Sequence, residues 1–312
     1  SEPTNYWSSG YIQTANIDLV DVQSLIKPIG DVDYSSSPFS GTYDGAEFWI
    51  SNWTYIDPAA AYDSCLKFSG LFGYVRPGVV KNVRMDGVCI LDGFKTGGGI
   101  VAGGYYDGDN ISNIECNFSP GSYVVGTGHT GGVIGFLQST PTDGITLRGT
   151  LDLSRTDTAR GGSLAHTTGA LIGSIVNNVY SNLRNLATFP GGISGAQAGG
   201  VIGYVIRASE LTNIVNAMTG DINGTTNSGG IIGRGHASDA ISATNMLNAM
   251  TGNIAGTDVG GIIGWTSSVL YSMSDVANYM TGDIIGTNSG GMLGKMSTNV
   301  KLNNSICAMN GT

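Results

Sequence analysis

A five-residue phrase built on glycine recurs six times from residue 131 onward and decides the fold. The copies are Gly131-Gly132-Val133-Ile134-Gly135, Gly169-Ala170-Leu171-Ile172-Gly173, Gly199-Gly200-Val201-Ile202-Gly203, Gly229-Gly230-Ile231-Ile232-Gly233, Gly260-Gly261-Ile262-Ile263-Gly264 and Gly290-Gly291-Met292-Leu293-Gly294. Successive copies start 38, 30, 30, 31 and 30 residues apart. A fixed period in this range is typical of stacked repeats, in which each unit completes the core of its neighbour.

Each repeat divides into three short apolar pieces separated by clusters of Gly, Asn, Ser and Thr. This pattern is expected of strands joined by tight turns. A helix is disfavoured because each interior glycine costs about 1 kcal/mol relative to alanine. The sequence therefore predicts an all-β parallel β-helix, or solenoid, of about eight coils and about 40 Å in length. We expect it to be right-handed because parallel crossovers almost always are.

Parallel stacking of the coils predicts rows of equivalent side chains about 4.8 Å apart along the solenoid. The late repeats predict an asparagine row, a buried methionine row and two threonine rows. Their members are Asn216, Asn248 and Asn278; Met218, Met250 and Met280; Thr219, Thr251 and Thr281; and Thr225, Thr257 and Thr287.

The repeat signal weakens toward the start of the chain. Diverged copies of the phrase occur at Gly98-Gly99-Ile100-Val101-Ala102-Gly103 and Gly70-Leu71-Phe72-Gly73, and three of the four tryptophans precede them. A solenoid needs an end that covers its apolar interior. We therefore interpret residues 1–60 as an N-terminal cap with the first strands, and residues 61–312 as one continuous elongated repeat domain.

Composition excludes several classes of protein. The chain has 50 glycines among 312 residues without a Gly-X-Y period, which excludes collagen, and its 41% hydrophobic content is too high for a disordered linker. A net charge of −9 with only 14 scattered basic residues disfavours nucleic acid. No apolar run is long enough to span a membrane. We therefore expect neither a nucleic acid nor a membrane as a partner. The first residues lack the features of a signal peptide, so the chain is either cytosolic or already processed.

Four cysteines, Cys65, Cys89, Cys116 and Cys307, are candidates for one or two disulfides, and buried free thiols are an equally good interpretation. Six asparagines lie in Asn-x-Ser/Thr sequons and are candidate N-glycosylation sites if the protein is secreted from a eukaryotic or viral source. They are Asn52, Asn110, Asn117, Asn223, Asn303 and Asn310.

A search for catalytic motifs finds little. The three histidines, His129, His166 and His236, have no metal-binding spacing, and no nucleophile elbow is present. Asp221, Asp258 and Asp283 recur in the late repeats, where a structural row is the preferred interpretation. The segment Asp107-Gly108-Asp109-Asn110 is an acidic turn with Ca²⁺ binding as the alternative, so a metal site stays open. We therefore expect no enzyme activity and no cofactor.

The Gly-Gly-[Ile/Val]-[Ile/Val]-Gly phrase, followed by an Ile-x-Asn piece and a Gly-x-Ile-x-Gly piece, resembles the GLUG-type repeats of large surface-exposed proteins. The lead-in at Tyr11–Leu19 and Phe39–Gly45 is similar as well. The resemblance implies an extracellular adhesin, protease-accessory or surface-fibre context, on a cell or particle surface and with any signal peptide removed. Ala170 and the 38-residue interval depart from the pattern and predict an insertion near residues 140–165.

These observations predict an extracellular structural or adhesive solenoid, a building block of a surface layer, fibre or filament. Because the sequence stops within a repeat at Thr312, we expect head-to-tail self-association, reinforced by Cys307, or attachment to a longer surface protein. Glycans are further candidate partners. Two alternatives stay open: a carbohydrate-active lyase or hydrolase with at least three converging charged groups, and an ice- or glycan-binding surface made of both threonine rows.

Overall fold

A computed structural model describes residues 6–22, 26–30, 38–56, 68–104, 110–155, 166–207, 209–236, 240–267, 271–297 and 299–311. These residues form 29 β-strands and one short 3-10 turn at Tyr6–Ser8, and no α-helix occurs among them. The described part of the chain therefore contains no helix long and apolar enough to cross a membrane.

The strands follow the chain in short segments. They are β1 (Gly10–Ile12), β2 (Ile17–Asp18), β3 (Thr42–Asp44), β4 (Trp49–Ser51), β5 (Thr54–Ile56), β6 (Phe68–Ser69), β7 (Phe72–Val75), β8 (Val79–Gly87), β9 (Ile90–Gly98), β10 (Val101–Gly104), β11 (Asn110–Phe118), β12 (Tyr123–Gly131), β13 (Ile134–Gln138), β14 (Thr142–Gly149), β15 (Thr167–Gly169), β16 (Ile172–Val176), β17 (Asn178–Asn185), β18 (Ile193–Gly199), β19 (Ile202–Val205), β20 (Ser209–Asn216), β21 (Ile222–Gly229), β22 (Ile232–Gly235), β23 (Ile241–Asn248), β24 (Ile254–Gly260), β25 (Ile263–Thr266), β26 (Tyr271–Asn278), β27 (Ile284–Gly290), β28 (Leu293–Met296) and β29 (Val300–Cys307).

The strands form three parallel sheets that share the length of the molecule. Sheet 1 runs β1-β3-β8-β11-β14-β17-β20-β23-β26-β29, with β4 also paired to β8 and β2 to β4. Sheet 2 runs β7-β10-β13-β16-β19-β22-β25-β28, and sheet 3 runs β5-β9-β12-β15-β18-β21-β24-β27, with β6 also paired to β9. Each coil thus contributes one strand to each sheet, and the eight strands of sheet 2 match the predicted number of coils. The prediction of a parallel β-solenoid is confirmed.

The predicted rows follow from the strand register. Asn216 pairs with Asn248 and Asn248 with Asn278, and all three side chains are completely buried. The Nδ2 of Asn248 donates to the Gly261 carbonyl of its own coil at 2.8 Å and to the Oδ1 of Asn278 at 2.9 Å, and Asn216 makes the equivalent pair of bonds. Asn278, the last of the row, donates to the Gly291 carbonyl at 2.6 Å and to the Cys307 sulfur at 3.8 Å. The methionine row is fully buried beside it. Stacked amides therefore satisfy the carbonyls of the glycine corner inside an apolar core.

A second asparagine row, on the outer surface of sheet 1, was not predicted. Asn213 and Asn245 have φ angles of 57° and 55°, in the left-handed region, and the Nδ2 of Asn245 donates to the Oδ1 of Asn213 at 3.0 Å. Asparagine is the non-glycine residue best suited to this conformation. The same slot holds Asn82, Asn113, Gly144, Asn182, Asp275 and Asn304, each also with positive φ. A residue in the left-handed conformation therefore occupies one position in each of the eight sheet 1 strands from β8 to β29.

The first described residues lie at one end of the solenoid, where β1, β5 and β7 are the end strands of the three sheets. Strands β3 and β4 pair in parallel with β8, and Trp53 is completely buried against the core. The predicted boundary at residue 60 falls in residues 57–67, outside the described part. The insertion predicted near residues 140–165 does not begin at 140, because β14 is a regular strand of sheet 1. Residues 156–165 lie outside the described ranges.

Candidate binding strip

A layer packed backbone to backbone positions the candidate site. At each glycine phrase the chain turns sharply out of sheet 3, and the sheet 2 strand folds back against it. A Cβ on Gly203 would lie 2.6 Å from the Gly173 carbonyl oxygen and 2.8 Å from the Thr168 backbone, closer than real Cβ atoms approach. Glycine is therefore required here, because the close approach of the two strands leaves no room for a side chain.

The residues just outside this layer meet on its outer face, seven positions apart in sequence. The rings of His129 and Phe136 are 4.9 Å apart, and the hydroxyl oxygens of Thr167 and Ser174 are 2.8 Å apart. We call the two resulting rows the outer strip. Its sheet 3 row holds Phe68, Thr96, His129, Thr167, Gln197, Asn227, Asp258 and Asn288. Its sheet 2 row holds Tyr74, Gly103, Phe136, Ser174, Tyr204, Arg234, Trp265 and Lys295.

The half of the strip toward the N-terminus is closed. Tyr74 is fully buried and stacks on Phe68 at 5.4 Å. The Nδ1 of His129 lies 2.8 Å from the Ser174 hydroxyl and 2.9 Å from that of Thr167. Thr167 and Ser174 have no exposed surface. This contact between serine and histidine is therefore shielded from any molecule outside the protein.

The half toward the C-terminus is open and carries a sandwiched cation. The Arg234 guanidinium lies 5.0 Å from the Tyr204 ring centre and 4.3 Å from that of Trp265. Its Nε is buried without a hydrogen-bond partner. No carboxylate of the described residues lies within 4.0 Å of it. Burial raises the pKa of the Tyr204 phenol, and the charge on Arg234 opposes that rise. The two rings therefore hold a cation that has no carboxylate partner among the described residues.

Amide and carboxylate groups form the floor beside this cation. Gln197, Asn227 and Asp258 are 4%, 5% and 7% exposed. The Nδ2 of Asn227 donates to Asp258 at 3.1 Å, and Lys295 lies 3.9 Å from the same carboxylate. The Oε1 of Gln197 is buried and accepts no hydrogen bond.

The open half thus presents aromatic rings and a half-buried cation along one line. Lys295 lies beside Asp258, whereas no carboxylate of the described residues accompanies Arg234. The Gln197 Oε1 and the Arg234 Nε are unpaired but buried, so they are shielded from outside molecules as Thr167 and Ser174 are. The arrangement suits an extended ligand that follows the solenoid axis and offers an anion to the outer part of the guanidinium.

The three aspartates singled out by the sequence do not form one cluster. The backbone N–H of Asn253 donates to Asp221 at 2.7 Å, and the N–H of Asp283 donates to the Asn253 side chain at 2.9 Å. These residues form the predicted structural row at a turn, whereas Asp258 belongs to the strip. The converging group required for the lyase or hydrolase alternative is therefore not made by these three.

The Ca²⁺ alternative falls largely outside the described residues. Asp107 and Asp109 are not described, and Asn110 is the exposed first residue of β11. Within the described ranges, no group of three His, Cys, Asp or Glu side chains is arranged to hold a metal ion.

The threonine rows lie on different parts of a coil. Thr219, Thr251 and Thr281 are exposed and paired in a row that continues back to Thr188 and Thr150. The second row, Thr225, Thr257 and Thr287, is also exposed but lies within sheet 3. A glycine turn with φ of 126° to 137° separates them. The two rows that the ice- or glycan-binding alternative requires therefore lie on different segments of each coil, on either side of this turn.

The cysteines give no disulfide in the described part of the chain. Cys89 and Cys116 are buried free thiols, and Cys307 is an exposed one, so the candidate pairings among these three are wrong. Burial raises the pKa of Cys89 to about 12 and also raises that of Cys116. Both thiols stay protonated and pack as small apolar groups, and Cys307 continues the slot of the buried asparagine row. Cys65 lies outside the described residues.

The sequon asparagines are mostly accessible. Asn110, Asn117, Asn223, Asn303 and Asn310 are exposed. Asn52 is half-buried, donates to Asp18 at 2.8 Å and accepts from the Val88 N–H at 3.1 Å. Its amide is therefore already engaged in the fold.

Comparison with known proteins shows similarity of fold. No protein-family model matches the chain, and no curated protein matches it significantly. A crystal structure of a candidate immunoglobulin A1 protease from Bacteroides ovatus is similar, with a TM-score of 0.50 and 17% identity over 95% of this chain and 78% of that one. A structure named IgA1 protease has a TM-score of 0.46 and 16% identity, and this chain spans 22% of it.

The expectation that the chain is not an enzyme must be corrected. A solved structure that shares the solenoid over nearly all of this chain carries the name of a protease. Its low identity shows the common fold and transfers no residue or activity. The resemblance to GLUG-type repeats stays a prediction, since no family model matches.

Sequence reasoning missed the outer strip, although a signal for it was present. The residue directly after each glycine phrase is Tyr204, Arg234, Trp265 or Lys295 in the last four copies. Large and chemically varied side chains at one slot of an otherwise regular repeat mark a surface that the core does not determine.

Proposed function

We propose that the chain is an extracellular structural or adhesive solenoid whose contact surface is the open half of the outer strip. The observation that carries this proposal is the pair of aromatic rings that hold Arg234 on a rigid, glycine-packed layer. The accessible sequons and the fold shared with a candidate immunoglobulin A1 protease are compatible with an extracellular location.

A bead adhesion assay tests the proposal. Beads carrying the purified chain are passed over mucin-coated and cell-coated surfaces, and retained beads are counted. Tyr204→Ala should abolish retention, whereas Tyr279→Ala removes an exposed tyrosine outside the strip, 46% exposed, and should not. Melting temperatures show whether each variant is folded. Equal retention of the two folded variants, or no retention of the wild type, refutes the proposal.

The name of the similar structure, a candidate immunoglobulin A1 protease, gives a second activity to measure with the same purified chain. Immunoglobulin A1 is incubated with the wild-type chain and examined for cleavage by gel electrophoresis. Cleavage without adhesion would replace the adhesive proposal by a proteolytic one.

We further propose that the last described coil stacks on a second copy of the chain, giving head-to-tail contact. Leu302 and Met296 occupy slots that are buried in the preceding coil, at Met273 and Thr266, but are 45% and 54% exposed here. An open strand edge with exposed apolar side chains favours association with a further strand. Continuation into a longer surface protein is the competing occupant of this edge.

Light scattering over a concentration series tests the stacking. The wild type should grow in mass with concentration, and Leu302→Lys should remain monomeric because its charge would lie between two coils. Val179→Lys is the control, since Val179 is 44% exposed away from this edge. A wild-type chain that stays monomeric at tens of micromolar would favour continuation into a longer protein instead.

A further inference from the structure

We propose that the open half of the outer strip binds a sugar chain bearing carboxylate groups, and that Arg234 holds one of those carboxylates. This inference rests on the proposed adhesive function and names the chemical class of its ligand. It assigns Arg234 as the anion anchor.

The immobilisation of Arg234 is the first argument. A free arginine loses considerable side-chain entropy on binding, but this one is already fixed between Tyr204 and Trp265. Its buried Nε has no acceptor within the described structure. A planar carboxylate provides two acceptor oxygens in the geometry that a guanidinium prefers. The site is therefore preorganised for an anion that the described residues do not supply.

Arg234 is an isolated cation on a chain that is acidic overall. The molecule carries 23 acidic against 14 basic residues, and the neighbouring Lys295 is already beside Asp258. A general attraction for anions is therefore absent, and any anion must be recognised locally. His236, exposed beside Trp265 at 6.0 Å, lies at the outer margin of the site.

The accessible part of Arg234 is the end of its guanidinium. Arg234 is only half-buried, whereas its Nε and the Gln197 Oε1 are buried. An external carboxylate therefore meets the terminal nitrogens, which donate side by side to its two oxygens.

The geometry disfavours an acidic peptide as the ligand. Peptides commonly add a strand to an open sheet edge, but β19 and β22 are each paired on both sides by neighbouring strands. Only side chains are available in the strip. Their row repeats at about 4.8 Å, the spacing of parallel strands, which is close to the length of one pyranose unit in an extended chain. A polysaccharide can therefore keep equivalent groups in step with successive coils.

Isothermal titration calorimetry with matched sugar pairs tests the inference. The probes are oligogalacturonate, a hyaluronan tetrasaccharide and sialyllactose, each compared with its carboxyl-reduced counterpart. The wild type should bind at least one acidic probe about ten-fold or more tightly than its reduced form. Arg234→Gln should abolish that preference, and Arg234→Lys should reduce it because lysine lacks the planar fork. Arg184→Gln removes an exposed arginine from sheet 1 and should leave it unchanged.

Three results would overturn the inference. They are equal affinity for acidic and reduced sugars, no binding of any probe, and equal effects of Arg234→Gln and Arg184→Gln. If Arg234→Gln does not fold, Arg234→Lys keeps the charge and decides through the same ratio. The adhesion assay separates the two proposals. If retention is lost in Tyr204→Ala but does not change when the carboxyl groups of the coated surface are reduced, the adhesive function stands and the acidic sugar is excluded.

Discussion

Replacing Asn248 by alanine should strongly destabilise the late coils. Its Nδ2 donates to the Gly261 carbonyl at 2.8 Å and to Asn278 at 2.9 Å, and its Oδ1 accepts from Asn216 at 2.9 Å. The side chain is completely buried, so water cannot replace these three hydrogen bonds. Alanine would also leave a small void.

The magnitude follows from the three lost bonds. Each hydrogen bond contributes about 0.5–1.5 kcal/mol net, and a buried partner left unsatisfied costs about 1–3 kcal/mol. Since each partner keeps other contacts, we expect a loss of about 3–6 kcal/mol in the free energy of unfolding. That is a large share of the stability of a typical domain, about 5–15 kcal/mol.

Urea denaturation followed by circular dichroism measures this loss. Asn303→Ala, an exposed asparagine of β29, is the matched control and should change stability by less than about 0.5 kcal/mol. The double variant with Asn216→Ala should lose less than the sum of the single losses, because the two amides share one bond. Equal stabilities of Asn248→Ala and Asn303→Ala, or strict additivity in the double variant, would refute the buried row as a stabilising network.

Three further predictions follow from individual sites. Gly233→Ala should lower the melting temperature, because its Cβ would lie 2.7 Å from two backbone oxygens of the packed layer, whereas Gly10→Ala has open space and should not. Cys307 should react with a thiol reagent within minutes while Cys89, buried and with its pKa raised to about 12, stays unmodified in mass spectra of the native protein; modification of Cys89 first would contradict its placement. Burial raises the pKa of Asp152, but hydrogen bonds and the adjacent guanidinium outweigh that effect and lower it overall. Its stabilising contribution is therefore full above the unfolded pKa of about 3.9 and is lost as the pH falls through the lower folded value. Asp152→Asn should consequently lose less melting temperature than the wild type between neutral pH and about pH 3, and equal losses would contradict this assignment.

The architecture could be predicted because the repeat constrains it at many positions at once. Gly203 leaves no room for a side chain, and Met250 must face the core, so both recur at fixed spacing and are visible in the sequence. The buried asparagine row was predicted for the same reason. The outer asparagine row was not, because Asn213 and Asn245 resemble ordinary surface residues until their positive φ is known.

The candidate site was not predicted, because the sequence shows the varied slot after each glycine phrase but not the contact between two strands that completes the strip. Gln197 and Tyr204 are brought together only when the glycine layer folds the chain back on itself. The candidate disulfides among Cys89, Cys116 and Cys307 were also wrong. Cys89 and Cys116 lie in neighbouring coils, but proximity in the stack did not produce a bond between them.

The solenoid separates the residues that specify its fold from those that determine its surface. The glycines of the phrase and the buried rows fix the path of every coil, so the slot after each phrase is free to hold tyrosine, arginine, tryptophan or lysine without altering that path. Because the coils are held in register, a change at one of these slots leaves its neighbours in place. The cation between Tyr204 and Trp265 thus depends on the side chain at one slot of a backbone that does not change. The recognition chemistry of the strip can therefore be altered one coil at a time. That independence is the physical reason why substitutions in the open half of the strip should change binding far more than stability.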